Sequence, residues 1–505
     1  MSTQIIVAPL GVDSPDNTLL PSPSAPLDVV KVFLGARYMH GDSLTLRYWR
    51  GDWRSWSGNK WEALDRDNIR AQLYEFTDGA TYAKQDSGGE TKFMPWLPNA
   101  RRINDLLDAL KVPCATPASV NPSSWLDGRA AETIIACRNG LLKLPSRTLL
   151  PHSPLFFNVQ VLPFDYDGTA ECPVWEKFMC DLWGSDDEPP NALEEMLGCA
   201  VAGKLDLHRI LVLVGPPRAG KSLIASIFEA VVGKANTSWA SLVGLADDKT
   251  LSSLIGKSLC INGDIRATGR RGPEIAEALL RISGGDCFTI DRKYKDPWTG
   301  PLPVLIVQIS NELPTIKDAS GALASRYLPL IFTENWQGRE DRMLGGRLLA
   351  ELPGILNRAL DGFDFVATTG RFTEPKASQE VAEELAEMAS PMRRFVNEML
   401  DVMPRGGNRA DFSVDTGALH GAYNRWAITN REEEINLGLF GKRLRALLPG
   451  VKRAQPRTAT GGRLSSYSGI RLRAQFSTQG ALSQLSQRTG MEVRLLQRGG
   501  STTDE

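Results

Sequence analysis

The sequence contains no run of about eighteen apolar residues, which excludes a conventional membrane-spanning helix. Its start, Met1-Ser-Thr-Gln-Ile-Ile-Val-Ala-Pro, lacks the basic residues and long apolar core of a secretion signal. Cysteine and histidine are scarce: the seven cysteines (114, 137, 172, 180, 199, 260 and 287) form no CxxC pair, and there are four histidines. That spacing suggests neither a zinc site nor a disulfide framework, and a reducing, cytoplasmic setting is expected. Net charge is also nearly absent, at −1, so overall charge argues for no particular partner.

What is present is an ordinary globular composition, 42% hydrophobic and 23% charged, in 505 residues. A chain this long exceeds one core and should form about three domains. Charge is uneven along it. Residues 441–500 hold twelve Lys and Arg against one acid, Glu492. A segment that basic suits a polyanion, although a solvated basic face has the same composition.

The chain reads as a succession of segments. Residues 1–28, rich in Pro, Ser and Asp, are expected to be a disordered lead-in. Residues 29–189 have the pattern of a mixed α/β amino-terminal domain. Within it Tyr48–Trp53 and Trp56–Trp61 read as two short strands around a tight turn, with tryptophans expected in a small core rather than stacked on bases. Helices are expected at Asp67–Glu75 and Ala100–Lys111, and strands within 131–170. Gly184–Pro190 reads as an acidic hinge. Strand and helix patterns then alternate from 190 to 365. A helical linker (366–395) follows, overlapping a long charged helical stretch, Glu374–Leu400, interrupted at Ser390-Pro391. Two helices and a two-stranded wing are expected over 396–475, and a tail over 476–505.

The chemistry concentrates at one place. Ile210–Val214 is a continuous apolar run suited to a strand buried on both faces of a parallel sheet. It enters Gly215-Pro216-Pro217-Arg218-Ala219-Gly220-Lys221-Ser222, a full GxxxxGK[ST] match, and a helical pattern follows. Glycines let backbone N–H groups curl around phosphates, and the helix N-terminus favours negative charge. Lys221 can reach the β- and γ-phosphates of ATP, and the Ser222 hydroxyl can ligate Mg²⁺.

Such a site needs a second acid, and Ser258–Gly263 is a short apolar run ending at Asp264. With Gly263 before it, Asp264 stands alone, and the division between metal ligand and general base stays open. Another buried strand, Pro303–Ile309, ends in Ser310-Asn311-Glu312, where Asn311 could orient an attacking water. Arg326 follows at the start of a further apolar strand. It reads either as a finger reaching a neighbouring copy's ATP or as a surface ion pair. Between these strands, Gly284–Gly300 describes a hairpin. Asp296–Gly300 is expected as its turn, with Lys293, Lys295 and aromatics near the tip, a combination that grips a phosphate backbone.

Taken in order, these segments resemble the helicase half of phage and plasmid primase–helicases, a branch of the superfamily 3 helicases. Gly215–Ser222 is similar to motif A, Leu254–Lys257 through Asp264-Ile265-Arg266 to motif B, and Gly284–Lys295 to the hairpin motif. Val307–Pro314 is similar to motif C and Ser320–Arg326 to the arginine-finger segment. Arg138–Leu142, Pro151–Pro154 and Leu162–Asp167 resemble the domain that precedes such motors. Phe440–Leu444 through Gly469–Leu472 resemble their winged helix, with Lys442 and Arg443 at its basic face.

The resemblance implies a P-loop, AAA+-like α/β motor with a mixed α/β front and a carboxy-terminal winged helix. It implies a homo-hexameric ring using ATP and Mg²⁺ to unwind forked or origin duplex DNA in a bacterial host while moving along a single strand. A separate primase or loader is an expected partner, and a membrane is not. Lys293 and Lys295 become expected pore contacts and Arg326 an expected finger. About thirty residues precede the first folded segment, so the polymerase-like priming domain of fuller family members is not expected. The rival readings are an ATP-switched origin-binding initiator that does not unwind, and a primase–helicase with a priming centre before residue 190.

Overall fold

A computed structural model describes residues 18–263, 271–293, 295–313, 322–404, 411–454 and 465–473, apart from the side chains of 295–296 and 385–389. The chain divides into two compact units, one of Met1–Leu313 with Arg326–Gln379, the other of Pro314–Ser325 with Glu380–Glu505.

The front of the larger unit is built on three amphipathic helices, Pro26–Arg37, Arg66–Thr77 and Ala100–Cys114. The spacing of Ile103, Leu106, Leu107, Leu110 and Cys114 puts them on one buried helical face, against Ile69, Leu73, Val29, Val30 and Phe33. Asp65 and Asn99 start the second and third helices by accepting the Asp67 and Arg102 N–H groups. Part of the expected lead-in is ordered: Leu20 is buried in this core and the first helix begins at Pro26. Residues 1–17 and 474–505 lie outside the described residues.

The tryptophan-rich stretch forms three antiparallel strands rather than the two expected: Leu46–Trp49, Asp52–Trp56 and Trp61–Leu64. Each expected strand had a turn inside it. Arg50 and Gly51 both take positive φ (48° and 82°), the two-residue hairpin turn whose twist matches its strands. Trp49, Trp53 and Trp61 are buried, so their rings fill core instead of offering stacking surfaces.

Five parallel strands organise the rest of this unit: β1 (Ile210–Val214), β2 (Thr237–Trp239), β3 (Leu259–Asn262), then, after the hairpin β4 (Cys287–Arg292) and β5 (Lys295–Pro301), β6 (Leu305–Ser310) and β7 (Tyr327–Ile331). Their order is β2-β3-β6-β1-β7. Every residue of β1, β3 and β6 is buried, as a sheet covered on both faces requires. The cover is α1 (Pro173–Trp183), α2 (Glu188–Ala202), α3 (Lys221–Val232), α4 (Gly272–Gly284), α5 (Leu344–Ala350) and α6 (Leu352–Thr369). α3 buries Ile224, Ile227, Phe228 and Val231; truncating Phe228 to Ala would cost about 3–5 kcal/mol.

The expected hinge is instead a tight corner. Pro189 and Pro190 are buried in the first turn of α2, and Gly184 closes α1. Nor is residue 190 a break in packing, since Ile135, Cys137, Leu142 and Leu162 share a core with Leu211, Leu213 and Phe228.

The smaller unit has its own core. Helices α7 (Pro391–Met399), α8 (Thr416–Thr429) and α9 (Leu437–Leu447) gather around Phe395, Tyr423, Trp426, Phe440 and Tyr467. The Phe395 and Tyr423 rings meet edge-on with centroids 5.2 Å apart. Lys452–Ala454 and Ser413–Asp415 flank Ser466–Ser468 in a small antiparallel sheet, and Leu400–Val402 pairs with Ile470–Leu472.

Candidate active site

Because the five strands are parallel, their carboxyl ends share one edge of the sheet, and the loops leaving β1, β3 and β6 start there. The loop after β1 is Gly215–Gly220. Gly215 passes against Phe332, and a Cβ there would strike the Phe332 carbonyl oxygen, which leaves no room for a larger residue. Gly220 holds φ 94°, a left-handed conformation that turns the chain into α3.

Lys221 opens α3 and is only 5% exposed. Its Nζ donates to the carbonyls of Gly215 (2.5 Å) and Pro216 (2.7 Å) and to Asn311 Oδ1 (3.2 Å), all neutral acceptors. Burial lowers the pKa of this ammonium, the signature of a cation whose charge is poorly compensated. An anion at the α3 N-terminus would supply the compensation. The charge and the helix dipole therefore fit a phosphate group.

These residues line a cavity of about 1010 Å³. Its floor is Pro217–Leu223, one wall is the start of α1, and Ile309-Ser310-Asn311 adds the tip of β6. The rest of the lining is a strap after β7 that was not singled out as site in the sequence. Trp336, Arg339, Glu340, Asp341, Leu344 and Arg347 all line it. The strap is tied to the loop: the Trp336 N–H donates to the Arg218 carbonyl (3.2 Å), and Arg218 pairs with Glu340. Arg347 pairs with Asp341. The only sequence signal here is the polar run Gly338–Asp341, which points to no chemistry by itself.

The other expected site residues distribute as follows. Asn311 is at the cavity, beside Lys221. Ser222 is exposed on the first turn of α3 and lines the same space. Asp264 lies outside the described residues, but the strand before it is placed: β3 is separated from β1 by β6, so it is Asn311 that leaves the strand adjacent to the loop. Arg326 does not line its own chain's cavity; its Nη1 donates to Ser283 Oγ (3.1 Å) at the end of α4. Among the described residues, no group of three or more His, Cys, Asp and Glu could hold a metal ion. In the smaller unit Lys442 is exposed and Arg443 half-buried, both on α9.

The hairpin departs most from expectation. Arg292 already pairs with Lys295, and the expected turn residues 296–300 lie within β5. Trp298 pairs with Ile290 across the ribbon and is 4% exposed, so it is not a tip aromatic. Arg292 is bound to Asp52 of the front. Lys293 is exposed at the turn, while Tyr294 and the Lys295 side chain are outside the description.

Residues 34–184 match the D5 N terminal like family. The match covers the front of the chain, the part that packs against the parallel sheet. Residues 213–326, from β1 to Arg326, match a family of unknown function, DUF5906. Among solved structures the chain is similar to the A-form apo structure of the NrS-1 C-terminal region. The identity is 11%, over 87% of this chain and 98% of that one, with a TM-score of 0.45. Another apo structure of that region matches at 10% identity, over 88% and 99%, with a TM-score of 0.42. No helix among the described residues is long and apolar enough to cross a membrane.

Proposed function

We propose that this chain is an ATP-driven DNA helicase of the superfamily 3 kind, acting in replication of a phage, prophage or plasmid. The observation that carries the reading is Lys221: a buried ammonium at a helix N-terminus, held by neutral acceptors beside Asn311 at the rim of a cavity. The reaction is ATP + H₂O to ADP + phosphate.

In this reading the N–H groups of Gly215–Ser222 cradle the phosphates, Lys221 binds the β- and γ-phosphates, and Asn311 orients the attacking water. Ser222 and Asp264 would hold Mg²⁺, which supplies charge neutralisation on the phosphate oxygens. Ser222 is suitably exposed at the cavity floor. Arg326, which does not line its own cavity, would complete the site of the next subunit in a ring, a homo-hexamer by family analogy.

Lys293 and Lys295 would grip a single strand at the hairpin turn. The smaller unit would be a winged helix presenting Lys442 and Arg443 to forked or origin duplex DNA. A separate primase or loader remains an expected partner.

The test is fork unwinding with ATP and Mg²⁺ across a salt series, wild type beside Lys221→Ala. Unwinding that requires Lys221 supports the motor. Near-normal hydrolysis by Lys221→Ala would sink the phosphate assignment. Slow hydrolysis indifferent to DNA would favour an ATP-switched origin-binding initiator instead.

A further inference from the structure

The cavity is larger than a triphosphate, and its lining is of two kinds. Gly220–Ser222 and the surrounding arginines and lysines make part of it polar and cationic. Val174, Phe178, whose ring packs against Gly220, Leu223, Leu344 and Trp336 add apolar lining. Two charged residues on the α1 side, Lys177 and Asp181, are bonded to each other at 2.8 Å, so neither is committed to a ligand. Over the whole cavity five cations (Lys177, Arg218, Lys221, Arg339, Arg347) face three carboxylates, an excess opposite in sign to a metal–nucleoside triphosphate.

Trp336 is the aromatic side chain on the strap. The Arg339 guanidinium lies over its ring, 5.3 Å from the centroid. Its backbone N–H is bonded to the Arg218 carbonyl, but its buried indole N–H has no hydrogen-bond partner. The strap's main chain is thus anchored to the phosphate loop, while no hydrogen bond of its own pins the ring. A flat aromatic ligand can be met by a small rotation of such a side chain. A phosphate chain would gain nothing from it.

We infer that the cavity includes a base subsite at Trp336 and its apolar lining, in which Trp336 stacks on the nucleobase of a nucleoside triphosphate whose phosphates lie at Lys221. Trp336 is therefore the residue by which the site distinguishes a nucleotide from a bare polyphosphate. Because the strap joins the loop through Arg218, base and phosphate recognition are mechanically linked. The inference rests on the nucleotide reading of the Lys221 site.

The experiment is calorimetric titration of the full chain with Mg–ATP and with Mg–tripolyphosphate, for wild type, Trp336→Ala and Trp336→Phe. The expected result is about a tenfold loss of ATP affinity in Trp336→Ala, unchanged tripolyphosphate binding, and near-normal binding of both ligands by Trp336→Phe. Unchanged ATP affinity in Trp336→Ala overturns the subsite. Equal weakening of both ligands also overturns it, because Trp336 would then only brace the loop. Failure of the wild type to bind either ligand overturns the nucleotide reading, and the subsite with it.

Discussion

Asp52 and Arg292, 240 residues apart in sequence, meet as an ion pair of 2.6 Å whose side chains are only 19% and 10% exposed. One belongs to the front sheet and the other to the last position of β4. The second strand of the same hairpin is held as well: Trp298 lies 5.9 Å beneath the Arg50 guanidinium, which is itself fixed by the Ala118 carbonyl and Asn121. The hairpin is therefore fastened to the front of the chain through both strands, and the Arg292 contact lies beside its turn rather than at its base.

Asp52→Ala would leave Arg292 beside Arg54 without the acid between them. A fully buried pair broken in this way costs about 3–5 kcal/mol, and this slightly wetter one should cost roughly 2 kcal/mol or more. Chemical denaturation should show that loss, and the exchange Asp52→Arg with Arg292→Asp should recover most of it. An Asp52→Ala midpoint equal to wild type would mean the pair contributes nothing.

Asn311→Ala removes a neutral group from the Lys221 ammonium without adding bulk. On the proposed mechanism turnover should fall by about two to three orders of magnitude, while ATP binding stays within a few-fold. Single-turnover hydrolysis beside a binding titration separates the two. A loss confined to affinity would make Asn311 a ligand of the phosphates rather than of water.

Gly215→Ala should disable the loop without touching a charged group. The added methyl meets the Phe332 carbonyl and Cβ, so either strand end must shift. A destabilisation of about 2 kcal/mol and loss of ATP-induced thermal protection are expected. Full ATP protection in this variant would show that the loop tolerates what its geometry forbids.

Glu194 supplies a pH dependence. Burial raises its carboxyl pKa, outweighing the Trp175 indole N–H and Arg358, which both favour the charged form. A carboxyl raised on folding gives its full stabilisation below its ordinary value of 4.5 and loses it as pH rises through the raised value. Stability of wild type relative to Glu194→Gln should therefore decline from pH 4.5 upward. Parallel stability curves for the two proteins over that range would contradict this.

Lys442→Ala with Arg443→Ala tests the smaller unit. If these side chains contact phosphates, the slope of log binding against log salt should shrink by about 0.9 for each on duplex DNA. ATP hydrolysis without DNA should not change. An unaltered salt slope would move the DNA surface off α9.

Much of the larger unit and of the candidate site was legible because its signals are local. Gly215–Ser222, the apolar run before it and the helix after it are contiguous, and loop sterics demand those residue types wherever the segment sits. The amphipathic spacing of Ile103–Leu110 and the break at Ser390-Pro391 are equally local, and the helices follow them closely. The hairpin turn was misread for the converse reason. Pro297 and Gly300 favour a turn by intrinsic preference, yet both lie in β5, where Trp298 packs inward and the Arg50 guanidinium crowds Gly300. The same applies at 184–190, where prolines that suggested a hinge start a buried helix.

By itself the sequence determined the Gly215–Ser222 loop motif, most of the helices and the burial of the strands, since backbone sterics and hydrophobic periodicity act over a few residues. Only the tertiary structure decided that Asn311, ninety residues on, stands beside Lys221. It alone put Trp336 and Arg347 in the cavity lining and joined Asp52 to Arg292. Those relations depend on strand order and chain return, which no local preference encodes. They arise when separate apolar surfaces, each indifferent to its partner in sequence, are buried together in one core.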